Sequence, residues 1–347
     1  MNRSRRLRIL LIVIAGFSLV LSAAACNPAD DDDDDDRELT GPGSWIERAP
    51  MPTARTSLAA AATGGLVYAM GGFNFLQVPD RPLDVVEIYD PEADSWSVGP
   101  PLPEPRGAAA AAVVDGKIYL AGGYAYEGTA DWYSARLDVF DPQTGAWTQL
   151  PSMPTPRSLP GVAALDGKVF VIAGRNDSGK SLTQVDAVES YDPVSWTWTA
   201  MNPLPEPVEA AAATTAGGSL FFAGGWDGTM TGYLNRLLEY DPAGDTWGVG
   251  PCLGEVRCSL AAATLWGRYA FFVGGYLDAW PPFRDAVDAL DAESGAYVNV
   301  APLPQRRGGA GAATVDGRLF VFGGGDYDEE THTAWNPRSE VWEFVPE

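Results

Sequence analysis

The chain is poor in the residues on which most enzyme chemistry depends. Its 347 residues include one histidine, His332, and three cysteines. A single histidine leaves little room for Ser-His-Asp or Cys-His catalysis and for most zinc sites. No Walker or dinucleotide-binding glycine pattern occurs, because the Gly-Gly pairs precede no predicted helix. We therefore expect no metal and no cofactor, and we expect His332 to be a solvated loop residue.

Positive charge is also scarce. The chain has 23 Lys and Arg against 46 Asp and Glu, a formal charge of −23 at pH 7. Without the four arginines of residues 1–25, which contain no acidic residue, the charge becomes −27. Such a surface would repel phosphate groups, so we expect neither nucleic acid nor anionic lipid headgroups as direct partners.

Long apolar runs are absent except near the N-terminus. Four arginines precede "ILLIVIAGFSLVLSAAA", so residues 1–25 are predicted to be a signal peptide outside the fold. The following "AAAC" resembles a bacterial lipobox and predicts lipidation of Cys26, although Ala23 stands where leucine is usual. Ordinary signal peptidase cleavage remains the alternative. The protein is expected to be lipid-anchored outside the cytoplasm, in the periplasm or at the cell surface, or else secreted.

A run of aspartates follows Cys26 directly. A block of like charges stays solvated and extended. Residues 26–44 are therefore predicted to be an acidic disordered tether, and the membrane is expected to be contacted through the N-terminal lipid only.

The rest of the chain repeats with a period of about fifty residues. An aromatic residue recurs at intervals of 51, 51, 51, 49 and 50 residues, at Trp45, Trp96, Trp147, Trp198, Trp247 and Tyr297. Such regularity indicates a repeat architecture.

Each copy predicts four strands. A strand of small residues reaches a tight turn such as Asp115-Gly116, and an apolar strand then ends at Gly-Gly. A third strand, such as "VEIYD", leads through an Asp-Pro turn to a fourth that begins near the Trp. One such sheet would leave apolar faces exposed, so the copies must stack, and stacking around an axis gives a β-propeller.

The Gly-Gly, Tyr-Asp-Pro and Trp marks at these spacings resemble kelch repeats. The resemblance covers residues 45–347 and implies an all-β, six-bladed propeller of four-stranded antiparallel blades. The sixth copy lacks its last strand, and "SWIERAPMP" near the N-terminus matches "TWTAMNPLP" of the fourth copy. We predict that the strand around Trp45 completes blade six and hides two sheet edges. An extra strand outside the ring is the alternative.

Two cysteines lie six residues apart in "PCLGEVRC", between the fourth and fifth copies. In an extracytoplasmic protein this spacing predicts a disulfide between Cys252 and Cys258. Two thiols that never meet are the alternative.

One rim of the propeller is predicted to carry the connections into the first strands and those between the second and third strands. The first connections contain Arg55, Arg106, Arg157, Arg257 and Arg307, with Val208 in blade four. Strand three carries Glu87, Asp138, Glu189, Asp288 and Glu340, with Leu238 in blade four. Joint loss in one blade indicates buried ion pairs. A ligand-facing role for Arg106, Arg157, Arg257 and Arg307 stays open.

The second set of connections on this rim is rich in aromatic residues. We predict Tyr124, Trp226, Tyr276 and Trp280 as ligand anchors of a monomeric module that binds a glycan or a protein. The alternative is a sugar-modifying enzyme resembling the sialic-acid mutarotases among periplasmic kelch proteins. Glu209 would then be the base, and Arg175, interpreted as replacing the second glycine of blade three, would hold a carboxylate.

Overall fold

The fold consists of strands and turns. The computed structural model describes residues 37–75, 81–127, 130–177, 182–328 and 333–347. Cys26 and His332 lie outside these ranges. No helix in the described ranges is long and apolar enough to cross a membrane.

Six four-stranded antiparallel sheets form the blades, as predicted. The closing strand and the first three blades comprise β1 (Ser44–Arg48), β2 (Ala59–Thr63), β3 (Leu66–Met70), β4 (Val86–Asp90), β5 (Ser95–Val98), β6 (Ala110–Val114), β7 (Lys117–Ala121), β8 (Tyr124–Glu127), β9 (Ala130–Tyr133), β10 (Leu137–Asp141), β11 (Ala146–Gln149), β12 (Gly161–Leu165), β13 (Lys168–Ile172), β14 (Arg175–Asp177), β15 (Leu182–Gln184), β16 (Val188–Asp192) and β17 (Thr197–Met201).

The remaining strands complete blades four to six. They are β18 (Ala212–Ala216), β19 (Ser219–Ala223), β20 (Leu237–Asp241), β21 (Thr246–Val249), β22 (Ala261–Leu265), β23 (Tyr269–Val273), β24 (Val287–Asp291), β25 (Ala296–Val298), β26 (Gly311–Val315), β27 (Arg318–Phe322), β28 (Gly325–Asp328), β29 (Thr333–Pro337) and β30 (Val341–Val345). The pairs β8–β9, β14–β15 and β28–β29 are two-stranded hairpins inserted between the second and third strands of blades two, three and six.

The ring closes through its N-terminal strand, as predicted. Sheet six has the order β1-β30-β27-β26, and Trp45 on β1 lies opposite Phe344 on β30. The Trp45 indole packs on the Phe344 ring at 5.2 Å and donates from Nε1 to the Ala301 carbonyl of blade five at 2.9 Å. The contact therefore joins the last blade to its neighbour.

The repeated aromatic residue makes this same inter-blade bond in every blade. Each Trp indole Nε1–H, or the Tyr297 hydroxyl, donates to a carbonyl at the end of the preceding blade. The pairs are Trp96–Ala49 (2.8 Å), Trp147–Pro100 (3.2 Å), Trp198–Pro151 (2.8 Å), Trp247–Asn202 (3.2 Å) and Tyr297–Pro251 (3.0 Å). The fifty-residue period thus reflects one bond repeated around the ring.

One rim carries tight turns, and we call it the turn rim. Its two-residue hairpin turns have positive φ at both positions, for example 49° at Asp115 and 71° at Gly116, which type I′ geometry requires. In blade five the first position is Trp266, at φ 52°. Its indole donates to the Gly317 carbonyl at 3.0 Å, so the side chain links this turn to blade six.

The predicted disulfide between Cys252 and Cys258 is absent, and both cysteines are free thiols. The segment joining them crosses from the outer strand of blade four to the inner edge of blade five. Cys252 is exposed at the outer end, whereas Cys258 is buried next to Tyr276 at the inner end. A chain extended across the width of a blade keeps the two sulfur atoms apart.

Part of the predicted tether lies against the propeller. The Thr40 amide donates to the Glu347 carbonyl at 3.1 Å, and the Leu39 amide donates to the Tyr269 hydroxyl at 3.1 Å. The guanidinium of Arg37 lies 5.7 Å from the centre of the Trp266 ring, on the turn rim. Hydrogen bonding continues on the N-terminal side of β1 because the C-terminal end of the chain still offers backbone partners there. Residues 37–43 therefore belong with the fold.

Candidate functional site

Five arginines are buried in ion pairs with acids of their own blades, as predicted. The pairs are Arg55–Glu87 (2.7 Å), Arg106–Asp138 (2.5 Å), Arg157–Glu189 (2.7 Å), Arg257–Asp288 (2.5 Å) and Arg307–Glu340 (3.2 Å). Burial lowers the pKa of Arg106, and the Asp138 carboxylate opposes that shift. In blade four, Val208 and Leu238 are both buried in one apolar cluster.

These arginines do not reach a ligand surface. Arg106 is 1% exposed, and Arg157, Arg257 and Arg307 are fully buried. The guanidiniums of Arg106, Arg157 and Arg257 also donate to backbone carbonyls, as from Arg157 Nη1 to Ala173 at 3.0 Å, whereas Arg307 donates to the Gln305 side chain at 2.7 Å. A buried charge needs these partners, so the ligand-facing interpretation of Arg106, Arg157, Arg257 and Arg307 is not supported, and they position the rim.

The Gly-Gly pair lets adjacent blades approach closely behind these arginines. A side chain at Gly71 would place its Cβ 2.2 Å from the Arg106 carbonyl oxygen of the next blade. The amide of the following residue, Gly72, donates to that same oxygen at 2.9 Å. The glycines are thus required by contact between blades.

A closed ring of six backbone hydrogen bonds surrounds the axis at this rim, which we call the loop rim. Each amide donates to the carbonyl of the equivalent residue in the preceding blade, over 2.6–3.2 Å. The six residues have φ between 52° and 62° and are Ser57, Ala108, Leu159, Ala210, Ser259 and Gly309. Beneath them the alanine-rich inner strands line an axial cavity of about 140 Å³. The ring fixes the positions of the neighbouring side chains.

The side chains next to this ring form a collar around the axis. Each collar residue follows the second glycine of a blade and pairs through its backbone with the residue just before the hydrogen-bond ring. The collar residues are Phe73, Tyr124, Arg175, Trp226, Tyr276 and Gly325. Tyr124, Trp226 and Tyr276 were predicted as anchors, and all three are partly exposed.

Two arcs of aromatic rings make up most of the collar. Across blades one and two, Phe73 lies 6.0 Å from Tyr124, and Tyr124 lies 6.1 Å from Tyr133. Across blades four and five, Tyr233 lies 6.2 Å from Tyr276, and its other neighbour is Trp226 at 6.4 Å. Such clusters of partly exposed rings are typical of interface anchors.

The second arc continues into blade six through Trp335, which the sequence reasoning did not select as an anchor. The collar residue of that blade is Gly325. The centre of the Trp335 ring lies 5.2 Å from that of Tyr276 and 5.0 Å from that of Phe283. A side chain on Gly325 would contact Trp335 at 3.1 Å. The glycine after a Gly-Gly pair was the available signal, because it leaves room for a ring from elsewhere.

Arg175 is the charged member of the collar. The sequence interpretation placed it at the second glycine of blade three, and this is wrong. Gly174 holds that place, and Arg175 occupies the position of the aromatic residues. The repeat spacing agrees with this alignment, because Gly174 follows the turn glycine Gly167 by seven residues, as Gly123 follows Gly116 in blade two.

Glu209 binds Arg175 across blades three and four. The Arg175 Nη1 atom lies 3.3 Å from Glu209 Oε1, and Gln184 Nε2 donates to Glu209 Oε2 at 3.0 Å. Glu209 is 4% exposed, and burial raises its pKa although Arg175 acts in the opposite direction. The two residues of the enzyme alternative are therefore together, with both carboxylate oxygens already bound.

Trp280, the fourth predicted anchor, lies away from the axis. It is 70% exposed and meets Tyr327 of blade six at 5.0 Å, with the ring planes at 88°. Within the described residues its ring contact is with Tyr327 and not with a collar residue, so Trp280 belongs to a separate surface. Within the described residues, no cluster of three or more His, Cys, Asp or Glu side chains could hold a metal ion.

Comparisons with known proteins agree with this architecture. The Kelch motif model matches residues 54–103, 105–154 and 306–347, and the KLHDC2/KLHL20/DRC7 Kelch-repeats domain matches residues 152–324. The chain belongs to the kelch-repeat family of β-propellers. The solved structure of YjhT superposes with a TM-score of 0.69 at 16% identity, covering 84% of this chain and 95% of that one, which shows the kelch fold.

The curated relatives of this kelch propeller are longer proteins. The Kelch-like protein terF of Aspergillus terreus is 34% identical over 59% of this chain and 46% of its own length. Kelch-like protein 36 of Bos taurus is 26% identical over 84% of this chain and 47% of its own. Beta-scruin of Limulus polyphemus is 26% identical over 77% of this chain and 30% of its own. The chain spans about half or less of these relatives.

Proposed function

We propose that this kelch propeller is an interaction module that binds a protein ligand at its collar. The observation that carries the proposal is the pair of aromatic arcs, held partly exposed by the closed hydrogen-bond ring. Aromatic anchors on a rigid support contribute a large share of binding energy in interfaces because little side-chain entropy is lost. Similarity to Kelch-like proteins supports the same class of function.

Arg175 makes the collar favour a ligand with an anionic group. It is the one collar side chain with a charge, and it is about a quarter exposed, at 27%. A ligand with an apolar body and a carboxylate could contact both arcs and share the guanidinium with Glu209. A glycan could also stack on the rings.

The turn rim is the side from which a tether would leave. Arg37 and Leu39 contact Trp266 and Tyr269 there. If Cys26 carries a lipid outside the cytoplasm, the collar would face away from the membrane and toward ligands. A lipid-anchored, receptor-like role is part of the proposal, and labelling of Cys26 with a fatty acid analogue tests the anchor itself.

Site-specific photo-crosslinking tests the interaction. A benzophenone amino acid replaces Tyr276 on the collar or, in the matched control, Trp196 on the turn rim. The Trp196 side chain is 58% exposed. We expect one discrete protein to crosslink at position 276 and not at 196, and the purified pair to bind in solution. Absence of any product, or identical products at both positions, would contradict a collar ligand. Binding to a glycan array without a protein product would change the ligand class.

A second candidate function is acid–base chemistry on a sugar ring. It is favoured by the contact of Glu209 with Arg175 beside the axis and by the raised pKa of Glu209. Ring opening would require Glu209 to release Gln184 or Arg175 and to take the proton of the anomeric hydroxyl. The C–O bond to the ring oxygen then breaks, and the proton returns from Glu209 to that oxygen. Anomer exchange of N-acetylneuraminic acid, followed by NMR, should then depend on Glu209 and be lost in Glu209→Gln.

A further inference from the structure

A cleft of about 510 Å³ opens between blades five and six, outside the collar. One wall is the blade-five loop with Trp280, Pro281 and Pro282, and the other includes Asp326 and Tyr327 of blade six. The other lining residues include Asp285, Gln305, Arg306, Arg338 and Glu340. The cleft thus combines exposed rings with charged groups.

The aromatic side of the cleft is open to a ligand. Trp280 is 70% exposed and meets Tyr327 nearly at a right angle. An indole exposed to this degree leaves most of its π face in water, and π faces attract cations. Prolines 281 and 282 hold the loop that carries the indole, which reduces the entropy lost when a ligand binds.

The acidic side of the cleft has unused hydrogen-bond acceptors. Asp326 Oδ2 lies 2.5 Å from Arg338 Nη2, but Oδ1 of the same carboxylate is buried with no hydrogen-bond partner in the described structure. The Asp285 carboxylate has neither a hydrogen bond nor an ion pair with any described residue. A buried acceptor without a donor costs free energy, so hydrogen-bond donors of a ligand would stabilise the complex.

We propose that this cleft binds the side chain of an arginine from a polypeptide ligand. A planar guanidinium can stack on the Trp280 indole and donate to Asp285, and with a rotation of the Asp326 carboxylate it can reach Oδ1 as well. A neutral donor could also bond to these acceptors, but a guanidinium adds the charge that strengthens such bonds.

The other charges of the cleft fit a polypeptide. Glu340 is already bound to buried Arg307, and Arg338 to Asp326, so these four charges compensate one another. Exposed Arg306 has no described partner and can donate to backbone carbonyls of a bound segment. The strongly negative charge of the chain, −23, would also attract a basic segment.

Titration with a single amino acid derivative tests the cleft without any knowledge of the collar ligand. The full chain is titrated with Nα-acetyl-arginine methylamide and, separately, with the citrulline analogue, which has the same shape and no charge. The Trp280 indole N–H signal, assigned by Trp280→Phe, is followed by two-dimensional NMR. We expect a saturable shift with the arginine compound and about tenfold weaker binding of citrulline.

Two matched variants locate the effect. Asp285→Asn should weaken arginine binding about tenfold without unfolding the protein, because the Asp285 side chain has no described partner to lose. Asp278→Asn removes an exposed acid of the same blade-five loop that does not line the cleft, and it should leave binding unchanged. Equal binding of arginine and citrulline, no response of Trp280, or equal effects of the two variants would overturn the proposal. None of these outcomes depends on whether the collar binds a protein.

Discussion

Arg106 Nη2 lies 2.5 Å from Asp138 Oδ2, and both side chains are buried in blade two. In blade four the same two places hold Val208 and Leu238. The surrounding charges correspond as well, because Glu104 contacts Arg136 in blade two as Glu206 contacts Arg236 in blade four. Blade four therefore shows which apolar pair the fold accepts in place of the ions.

Replacing one partner of the blade-two pair should be far more harmful than replacing both. Arg106→Val leaves Asp138 buried with only Arg136 as a cation, and we expect a loss of roughly 3 kcal/mol in the free energy of unfolding. The double variant Arg106→Val with Asp138→Leu reproduces the residues of blade four and should recover most of the lost stability. Urea unfolding of the three proteins measures this. A double variant no more stable than the single one would show that the pair does not act as a unit.

The closing strand should matter as much as an ordinary outer strand. Trp45 and Trp198 are equivalent, since each indole is half-buried and donates to the preceding blade, at 2.9 and 2.8 Å. Trp45→Ala and Trp198→Ala should each cost about 2 kcal/mol, less than a fully buried tryptophan would. Thermal unfolding compares them. A silent Trp45→Ala beside a destabilising Trp198→Ala would mean that the N-terminal strand is not needed for closure.

The two described cysteines should differ sharply in reactivity. Cys252 is exposed, whereas burial raises the pKa of the Cys258 thiol to about 12. A protonated, buried thiol is a poor nucleophile. Brief alkylation of the full chain at pH 8, read by peptide mass spectrometry, should modify Cys252 and leave Cys258 intact until denaturant is added. A disulfide-linked peptide pair, protected at both positions, would instead support the bond predicted from the sequence.

Acid should weaken the fold through Asp291. Arg268 donates to both of its carboxylate oxygens, at 2.8 and 2.9 Å, and these bonds hold the pKa of Asp291 well below its usual value of 3.8. The stabilisation is present above pH 3.8 and is lost as the pH falls below it, because only the unfolded chain then binds a proton readily. Asp291→Asn should be less stable at pH 7, and its difference from the parent should shrink below pH 4. A difference independent of pH would contradict this.

Much of the fold was predictable because the same sequence pattern occurs six times. The Trp spacing, the Asp-Gly turns and the joint loss of arginine and acid in blade four gave the blades, the closure and the buried pairs. Features that occur once were harder. The disulfide, which the structure does not show, was predicted from the cysteine spacing and an expected extracytoplasmic location, without the direction in which the segment crosses the blade. Arg175 was misassigned because Ala173 replaces the first glycine of its blade, so that the Gly-Gly pair is not recognisable there.

The distance of the collar residues from the propeller axis was predictable from the sequence, whereas the side chains that pack against them were not. The aromatic residues after Gly-Gly indicated the collar, because a fixed place in each repeat becomes a fixed distance from the axis. Trp335 packs against Tyr276, 59 residues earlier, and Trp280 against Tyr327, 47 residues later, through loops of different blades whose packing no repeat pattern specifies.

Trp226 lies on the collar and tests the proposed ligand site most directly. The measurement is the Kd of the protein captured at position 276 for the parent chain, Trp226→Ala and the turn-rim control Trp196→Ala, with the melting temperature of each. We expect Trp226→Ala to weaken binding about thirtyfold at unchanged melting, since an aromatic anchor contributes about 2 kcal/mol, and Trp196→Ala to change nothing. Unchanged affinity of Trp226→Ala, or a loss that follows a lowered melting temperature, would contradict a ligand site at the collar.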